Sequence, residues 1–293
     1  MRFLRFRTAV ITGAASGIGR ALAIEMAAHG MHLALVDINE AGLAETQRLV
    51  GHVKQIVSLH VVDVSNPDAL EALPAAVLQN HRTVDVLVNN AGVTSIKSFH
   101  EESMADFDWV MTINVRALVH GTKVFLPHLM RRPEAHIINI SSIFGIVGVP
   151  GQTSYCASKF AVRGFSEALQ EELLNTPIGV TVVHPGGVAT QVVSNARAND
   201  QQMKSHMVDA FQTLAIPASE VARQIVVALQ RKQERLVITR EAVVGDWLKR
   251  IFPVWGNRLM AKLLIRFLGL RKLFDAQQAR MYESLDHDGG DPD

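Results

Sequence analysis

Short apolar runs alternate with longer amphipathic stretches along most of the chain. The runs are rich in Val and Ile, and each leads into a segment whose apolar residues recur with helical spacing. Because the runs are apolar on both faces, they predict parallel strands covered by helices on both sides. The predicted strands are TAVITG, HLALVD, IVSLHVVDV, VDVLVNN, AHIINIS, GVTVVHP and RLVIT, and the predicted helices span 17–30, 40–50, 67–80, 103–130, 153–175 and 217–231. The predicted fold class is therefore α/β, with a doubly wound, parallel, seven-stranded sheet.

This alternation continues to about residue 240 without a linker rich in Pro, Gly or Ser and without an internal repeat. One domain is therefore predicted for residues 1–240. The single cysteine, Cys156, excludes an intramolecular disulfide, and this favours a reducing, cytoplasmic location. The start of the chain does not read as a signal peptide, and no apolar run reaches the roughly 18–20 residues that span a bilayer. With 29 basic against 28 acidic residues, nothing in the overall charge favours nucleic acid as a partner.

A second pattern follows in WGNRLMAKLLIRFLGLRK, where one side is basic and the rest is apolar. The cations at four-residue intervals are Arg258, Lys262 and Arg266. An amphipathic helical extension is predicted for 241–285, and three roles for it are open. It packs on the domain or on a partner subunit, contacts a membrane peripherally through 251–272, or docks another protein. The acidic tail, 286–293, lacks apolar anchors and is predicted to be disordered rather than metal-binding.

A glycine-rich turn, TGAASGIG at 12–19, follows the first predicted strand and opens the first predicted helix. Gly13 permits a tight turn, Gly17 lets the backbone approach a pyrophosphate, and Gly19 permits close packing of the helix. The helix N-terminus then presents free N–H groups to the anion. An ordinary strand-to-helix turn is the alternative, but the position of the motif favours dinucleotide binding in a Rossmann-like sheet.

Asp37 ends the second predicted strand, 18 residues after Gly19. A carboxylate there can accept hydrogen bonds from an adenosine ribose diol and would repel a 2′-phosphate. Neither Ile38, which follows it, nor Ser16, before Gly17, is a cation that could hold that phosphate. NAD is therefore predicted over NADP. The alternative, a cap for the helix at 40–50, is weakened because Asn39 can serve as the cap.

Taken together, the motifs resemble those of the short-chain dehydrogenases/reductases, in the order and spacing of that family and over about residues 8–240. They are TGAASGIG, DV at 63–64, NNAG at 89–92, Asn114 in TINV, Ser142, YCASK at 155–159 and PGGVAT at 185–190. The resemblance implies a homodimer or homotetramer and an enzyme without a metal. It also implies that the cofactor is bound by Gly13, Ser16, Gly17, Ile18, Gly19, Asp37, Asp63, Val64, Asn90, Ala91, Gly92, Tyr155, Lys159, Pro185, Gly186, Val188 and Thr190. Taken singly, several of these also have plain structural interpretations, since Asp63 and Asn90 end strands and Gly92 turns the chain.

Tyr155 and Lys159 are neighbours one turn apart if 153–175 is a helix. A phenol has an ordinary pKa of about 10, so it is nearly all protonated at neutral pH. A lysine cation about 4 Å away, at an effective dielectric constant of about 20, would contribute about 4 kcal/mol. That is enough to bring the tyrosine pKa to about 7 before desolvation opposes it, and a bound oxidised nicotinamide would add further positive charge. Tyr155 is therefore the predicted acid/base for alcohol oxidation or carbonyl reduction.

Ser142 and Asn114 complete the catalytic set that the resemblance implies. Ser142 would hydrogen-bond the substrate oxygen, and the family's spacing to the tyrosine selects it over Ser141. Asn114 would hold a water that connects Lys159 to solvent. The alternative for Asn114 is a buried side chain that satisfies backbone groups at a helix irregularity.

The expected substrate region is mainly apolar. In this family it would be lined by IFGIVGVPGQ and by Val192, Val193, Met203, Met207 and Phe211. The prediction is an NAD(P)-dependent oxidoreductase that interconverts a secondary alcohol and a ketone on a lipophilic small molecule. One alternative is a 3-oxoacyl-thioester reductase, which a basic docking patch near the cleft would favour. The other is a non-catalytic dinucleotide sensor, which would have no need to retain the proton-transfer residues.

Overall fold

A parallel sheet forms the centre of the molecule, and the computed structural model describes residues 1, 3–51, 54–188, 190–267 and 271. The strands are β1 (Thr8–Thr12), β2 (His32–Asp37), β3 (Val57–Val61), β4 (Val86–Asn89), β5 (Ser95–Ile96), β6 (Ala135–Ile140), β7 (Ile178–Pro185), β8 (Arg197–Ala198) and β9 (Arg235–Ile238). Seven of them pair in the order β3-β2-β1-β4-β6-β7-β9, and β5 pairs with β8 in a separate two-stranded sheet. All of these pairings are parallel, so the predicted seven-stranded sheet is confirmed.

Helices cover both faces of the sheet. They are α1 (Gly17–Ala28), α2 (Glu40–Val50), α3 (Pro67–Asn80), α4 (Met104–Met111), α5 (Ala117–Met130), α6 (Thr153–Glu172), α7 (Gln201–Leu214), α8 (Ala218–Arg231), α9 (Arg240–Ile251) and α10 (Pro253–Phe267). One core packs α1 and α8 against the strands, with Leu22 and Ile225 fully buried. The other packs α3, α5 and α6 against the opposite face, with Phe125 at its centre. The strands are buried on both sides, and for this reason their sequences are continuously apolar.

The segment predicted as one helix at 103–130 is divided by a π-helical turn, Thr112–Arg116, between α4 and α5. Hydrophobic periodicity does not reveal one extra residue in a helical turn, and such turns often lie at functional sites. The region between β7 and α8 holds β8 and α7, which the sequence pattern did not predict.

The C-terminal extension consists of α9 and α10 packed against each other and against the domain. Arg235 on β9 holds α9 through two 2.7 Å bonds to the Asp246 carboxylate. The Gly148 amide donates to Asn257 Oδ1 on α10 at 3.0 Å, and the ammonium of Lys249 on α9 donates to the Ile146 carbonyl. In the described chain, no helix is long and apolar enough to cross a membrane. The tail at 286–293 and most of 268–285 lie outside the described residues, and the division at residue 240 stays a prediction.

Candidate active site

A cleft of about 730 Å³ opens at the carboxyl ends of the strands, where open α/β sheets bind ligands. Every predicted site residue lines it except Gly19, which lies inside the packing of α1, and Asn114, which is buried behind the wall. The predicted residues along the cleft are Gly13, Ser16, Gly17, Ile18, Asp37, Asp63, Val64, Asn90, Ala91, Gly92, Ser142, Tyr155, Lys159, Pro185, Gly186, Val188 and Thr190. The sequence motifs therefore converge on one site, although they are spread over most of the chain.

The glycine-rich turn is held by hydrogen bonds from the end of β4. Gly13 has a left-handed φ of 67°, and a β-carbon there would lie 2.8 Å from Asn90 Nδ2. That amide nitrogen donates to the carbonyl oxygens of Thr12 and Gly13, at 2.9 and 3.1 Å. A β-carbon on Gly19 would overlap the Gly13 carbonyl oxygen. Both glycines are therefore required for the close packing of this turn, and Asn90 supports the turn from behind.

The first turn of α1 faces the cleft without an acidic residue. Ser16, which precedes the helix, makes no side-chain hydrogen bond to the first turn within the described chain. Gly17 has a φ of 53°, and a β-carbon on it would lie 3.2 Å from Thr190 Cγ2 on the other side of the cleft. The unpaired N–H groups of the helix end give this part of the cleft a positive potential that suits a phosphate.

Asp37 is tied directly to the glycine-rich turn. Its carboxylate accepts hydrogen bonds from the amides of Ala15 and Asn39, both at 3.0 Å. Asn39 caps α2, since its Oδ1 accepts from the Gly42 amide at 2.9 Å. Asp37 is therefore not the helix cap, and it lines the cleft three residues before α2 begins. On the next strand end, Asp63 accepts from the Ser65 amide at 2.8 Å.

Ser142 and Tyr155 meet on the wall of the cleft. Ser142 follows β6, and its Oγ accepts a hydrogen bond from the Phe144 amide at 3.1 Å. Ser142 lines the cleft together with Tyr155, and its hydroxyl acts to lower the pKa of the phenol. Phe144 packs edge-on against the Tyr155 ring, with the centroids 6.1 Å apart. The phenol is thus oriented by one polar and one aromatic neighbour.

Lys159 lies one turn further along α6 and is almost completely buried. Its ammonium donates to the Ile140 carbonyl oxygen at 3.0 Å and sits 5.5 Å from the centroid of the Tyr155 ring. Burial lowers the pKa of Lys159 to about 8. The Lys159 ammonium thus faces the Tyr155 ring, but it is hydrogen-bonded to the backbone.

The pKa of Tyr155 differs from the value expected from its spacing to Lys159 alone. Burial raises the pKa of Tyr155 to about 12, and the hydrogen bond from Ser142 offsets this only in part. Lys159 alone therefore does not bring the phenol near neutrality. The physical reason is that both groups are desolvated by protein, which disfavours the charged form of each, and that the ammonium is directed at Ile140. The prediction for Tyr155 also includes the positive charge of a bound oxidised nicotinamide, and it stays a prediction.

Asn114 lies in the π-helical turn and is 1% exposed. Its side chain clamps one residue: the Val93 amide donates to Oδ1 at 2.8 Å, and Nδ2 donates to the Val93 carbonyl at 2.9 Å. Nδ2 also lies 2.9 Å from the Ser158 hydroxyl. These contacts match the alternative interpretation of Asn114, a buried side chain that satisfies backbone groups at a helix irregularity. A β-carbon on Gly92 would lie 3.3 Å from Asn114 Oδ1 and 3.5 Å from Lys159 Nζ, so the three residues do converge.

The substrate end of the cleft is lined by Ile96, Trp109, Ile113, Val192, Val193 and Met207, with the polar residues Thr94, Gln152, Gln191 and Asn195. Val192, Val193 and Met207 were predicted, whereas the side chains of Met203 and Phe211 lie outside the described part. The expectation for IFGIVGVPGQ is corrected, because only Gln152 of that stretch lines the cleft. Ile146 and Val147 are buried instead, and the Ile146 carbonyl oxygen accepts a hydrogen bond from the Lys249 ammonium.

Two contacts at this end were missed by sequence reasoning, although Gln152 itself belongs to the stretch that was predicted to line it. Gln152 is 3% exposed, and its Oε1 accepts a hydrogen bond from the Thr94 hydroxyl at 2.8 Å. The guanidinium of Arg197 on β8 lies 3.8 Å from the Trp109 ring centroid and bonds to Asp106 at 2.9 Å. The position of Gln152, one turn before the tyrosine, could have indicated it. The contact of Trp109 with Arg197 joins residues 88 positions apart, and no local signal predicts it.

A buried histidine supports the serine from behind. His184 Nδ1 lies 3.0 Å from the Ser142 carbonyl oxygen, so a protonated Nδ1 donates to it. The side chain is fully buried, and burial lowers the pKa of His184 to about 4. The imidazole is therefore neutral at physiological pH, and it positions Ser142 without taking part in proton transfer. The described residues hold no cluster of three side chains suited to a metal ion.

Comparison with known proteins accounts for this arrangement. A family model described as short chain dehydrogenase matches residues 7–201. The chain belongs to the short-chain dehydrogenase family. The predicted resemblance is thus confirmed, and the protein is an enzyme, an oxidoreductase.

Three known proteins are similar to this short-chain dehydrogenase along most of its length. It is 39% identical to the protein SadH of Mycobacterium tuberculosis (strain CDC 1551 / Oshkosh) over 265 residues, which cover 89% of this chain and 96% of SadH. A short chain dehydrogenase/reductase from Burkholderia phymatum, crystallised with NAD, has a TM-score of 0.81 at 30% identity, covering 86% of this chain and 95% of that one. An alcohol dehydrogenase from the archaeon Thermococcus sibiricus, complexed with 5-hydroxy-NADP, has a TM-score of 0.69 at 26% identity, covering 80% and 96%.

Proposed function

We propose that this short-chain dehydrogenase interconverts a secondary alcohol and a ketone on a lipophilic small molecule, with NAD as the preferred cofactor. The observation that carries the proposal is one continuous cleft with two differently equipped ends. At one end lie the glycine-rich turn and Asp37, and at the other lie Ser142 and Tyr155 beside an apolar pocket. Such an arrangement suits the binding of a dinucleotide along the strand ends with its reactive ring next to a proton donor.

The residues of the chain supply the proton chemistry. In oxidation the deprotonated oxygen of Tyr155 accepts the hydroxyl proton of the substrate, and in reduction the phenol gives that proton to the carbonyl oxygen. Ser142, which lines the cleft together with Tyr155, orients the substrate oxygen. A bound nicotinamide would accept the hydride in oxidation and supply it in reduction, and its oxidised form would add a positive charge. Lys159 would hold the cofactor ribose, and a water chain past Asn114 would carry the proton to solvent.

Positive charge is what the phenol needs in order to act near neutral pH. Because the pKa of Tyr155 is about 12 in the unliganded chain, a substantial electrostatic contribution must accompany ligand binding. The proposal therefore makes deprotonation of Tyr155 dependent on the bound cofactor.

The preference for NAD rests on the surroundings of Asp37. Its carboxylate faces the cleft, and a negative charge there would repel a 2′-phosphate. The nearest cation along the glycine-rich turn, Arg20, bonds to the Thr46 hydroxyl at 3.0 Å and to the Ala15 carbonyl oxygen. Its guanidinium is thereby engaged beneath the turn, so it is not placed to hold a phosphate.

The lipophilic substrate class is supported by the aliphatic and aromatic lining of the pocket around Trp109 and Met207. A 3-oxoacyl thioester is the second candidate, because α10 carries exposed cations, Arg258 and Lys262, next to this end of the molecule. The sensor alternative is disfavoured because a sensor has no need to keep Asn114, Ser142, Tyr155 and Lys159, and the last three of these line one cleft. From the family resemblance we propose a homodimer or homotetramer, and from the single cysteine a cytoplasmic location.

The test is a panel of lipophilic secondary alcohols, the corresponding ketones and a 3-oxoacyl thioester, each assayed with both NAD(H) and NADP(H) through the absorbance of the reduced cofactor. Turnover of alcohols or ketones, faster with NAD(H), is the expected result. Turnover confined to the thioester would replace the substrate class. Dinucleotide binding without turnover of any member would replace the catalytic proposal with the sensor.

A further inference from the structure

The helices α9 and α10 present large apolar side chains to solvent on their outer side. The most exposed of these are Val244 (56%), Trp247 (62%), Ile251 (61%), Phe252 (55%), Val254 (61%), Trp255 (76%), Leu259 (47%) and Leu263 (49%). We call these eight residues the apolar face. Two of the three tryptophans of the chain belong to it. Val244, Trp247 and Ile251 share one face of α9, and Trp255, Leu259 and Leu263 share one face of α10. Exposed apolar groups of this kind on a folded domain are typical of an interaction site.

Incomplete packing of the helices does not explain the exposure, because their opposite sides pack against each other and against the domain. A β-carbon on Gly245 would lie 2.7 Å from Met260 Cε, so α9 and α10 are in close contact. Ile265 packs on the cluster of Ile96 and Met207 at the substrate end of the cleft. The amphipathic helix therefore buries one apolar stripe on the domain and has a second one left over.

Charge distinguishes between the partners that could cover the apolar face. The segment 240–267 contains six Lys or Arg residues against two acidic ones. On α10 no acidic residue occurs, and the ridge of Arg258, Lys262 and Arg266, all exposed, runs beside the ridge of Trp255, Leu259 and Leu263. Asp246 on α9 is buried against Arg235 and does not contribute to the outer side. Among the described residues, the apolar face is therefore bordered by positive charge that no acidic residue of α10 offsets.

We propose that the apolar face and its basic border bind the surface of an anionic phospholipid bilayer. Tryptophan and leucine at the level of the lipid headgroups, with arginine and lysine beside them, are the composition that such a surface selects. A second copy of the chain fits less well, because a symmetric contact would bring two basic borders together. An acidic protein partner would pair with the cations, but it would also need an apolar surface to cover the eight side chains of the apolar face.

The position of this surface gives the attachment a consequence, which rests on the proposed function. Asn257 on α10 bonds to Gly148, four residues before Gln152 of the cleft wall, and Ile265 touches the cluster that includes Met207. The membrane-facing helices thus adjoin the substrate end and not the dinucleotide end. A lipophilic substrate dissolved in the bilayer would then be concentrated near the pocket.

The experiment is sedimentation of the full chain with vesicles of phosphatidylcholine alone and of phosphatidylcholine mixed with phosphatidylserine. Binding is expected with the mixed vesicles, and it should weaken as salt is raised. Each cation near an anionic surface strengthens binding about five-fold. Replacing Arg258, Lys262 and Arg266 by Gln together should therefore weaken binding about 100-fold. The triple replacement Trp247→Ser, Trp255→Ser and Leu259→Ser should abolish it.

Matched controls use equally exposed residues elsewhere. The charge control replaces Arg48, Lys54 and Arg223 by Gln, and the apolar control replaces Leu49, Ile56 and Leu174 by Ser. Both controls should bind vesicles like the unmodified chain, and unchanged thermal unfolding and dinucleotide binding show that each variant is folded. These readouts do not depend on turnover, so failure of the proposed function would leave this test intact.

Three outcomes overturn the proposal. The unmodified chain fails to bind the mixed vesicles, or it binds them but neither triple replacement in α9 and α10 weakens binding more than its control. In the third outcome, sedimentation velocity shows a dimer that the apolar triple replacement converts to monomer while vesicles are never bound. That last result would assign the apolar face to contact between copies of the chain.

Discussion

At the scale of single residues, the state of Tyr155 depends on what surrounds it more than on its spacing to Lys159. Both side chains are enclosed by protein, and this enclosure raises the pKa of the tyrosine and lowers the pKa of the lysine. The two shifts have the same cause, because desolvation disfavours whichever form carries charge. A tyrosine one turn from a lysine is therefore a necessary part of the site, and the bound dinucleotide completes it.

This state of the phenol can be observed directly by absorbance titration. The chain contains two tyrosines, so Tyr282→Phe leaves Tyr155 as the only one. Without a dinucleotide we expect no tyrosinate signal from pH 7 up to about pH 10, because the raised pKa keeps the phenol protonated. Addition of NAD should move the onset of the signal to lower pH. A titration centred near pH 7 in the unliganded chain would contradict the role given to burial.

Asp37 gives the second prediction at this scale. Asp37→Ala removes a charged acceptor for a ribose diol, and such hydrogen bonds contribute about 1.5–3 kcal/mol, so NADH binding should weaken about 10- to 100-fold. NADPH should be affected less, because the repulsion of its 2′-phosphate is removed at the same time. Binding titrations with both cofactors measure the ratio. An unchanged ratio would show that Asp37 does not set the preference.

At the scale of elements, the strands and the motif-bearing turns follow from local sequence, whereas the contacts between distant elements do not. Runs that are apolar on both faces predicted all seven strands, because no other common element requires that pattern. The π-helical turn at Thr112–Arg116 depends on how Asn114 clamps Val93, 21 residues away. The division between α9 and α10 had a local signal, Pro253, which begins a helix well. The packing of these helices on the substrate end had none.

Two helical glycines offer a matched test of the glycine-rich turn. In an exposed helix Gly→Ala stabilises by about 0.5–1 kcal/mol, and a β-carbon on Gly164 of α6 would meet nothing within 4 Å. Gly164→Ala should therefore raise the free energy of unfolding by about that amount. Gly19→Ala should lower it and weaken dinucleotide binding, because the methyl group overlaps the Gly13 carbonyl.

Urea denaturation of both variants, with cofactor titration, measures the difference. If the two substitutions changed stability in the same direction, the packing described for the glycine-rich turn would be incorrect.

At the scale of the whole molecule, three buried histidines make stability depend on pH. Burial lowers the pKa of His81 to about 4, of His136 to about 3 and of His184 to about 4. In the unfolded chain each returns to about 6.5, so below that pH the unfolded state binds more protons than the folded state. Stability is thus full above about pH 6.5 and is lost progressively as the pH falls toward the folded values.

The free energy of unfolding should accordingly decrease between pH 7 and pH 5. Each buried histidine contributes a slope that approaches about 1.4 kcal/mol per pH unit well below its unfolded pKa. His136→Gln should flatten the dependence, whereas His206→Gln, on the exposed side of α7, serves as the control. Urea denaturation at several pH values measures the slope, and equal slopes for the two variants would contradict the assignment.

The central claim is that Tyr155 transfers the proton that accompanies hydride transfer, and one comparison tests it most directly. Tyr155→Phe removes the phenolic oxygen and keeps the ring that packs against Phe144. With any alcohol or ketone that the unmodified enzyme converts, we expect turnover to fall by at least about 100-fold, the usual contribution of a general acid or base. NADH binding and thermal stability should stay close to those of the unmodified chain. Turnover retained within a few-fold in a folded variant that binds NADH would contradict the claim.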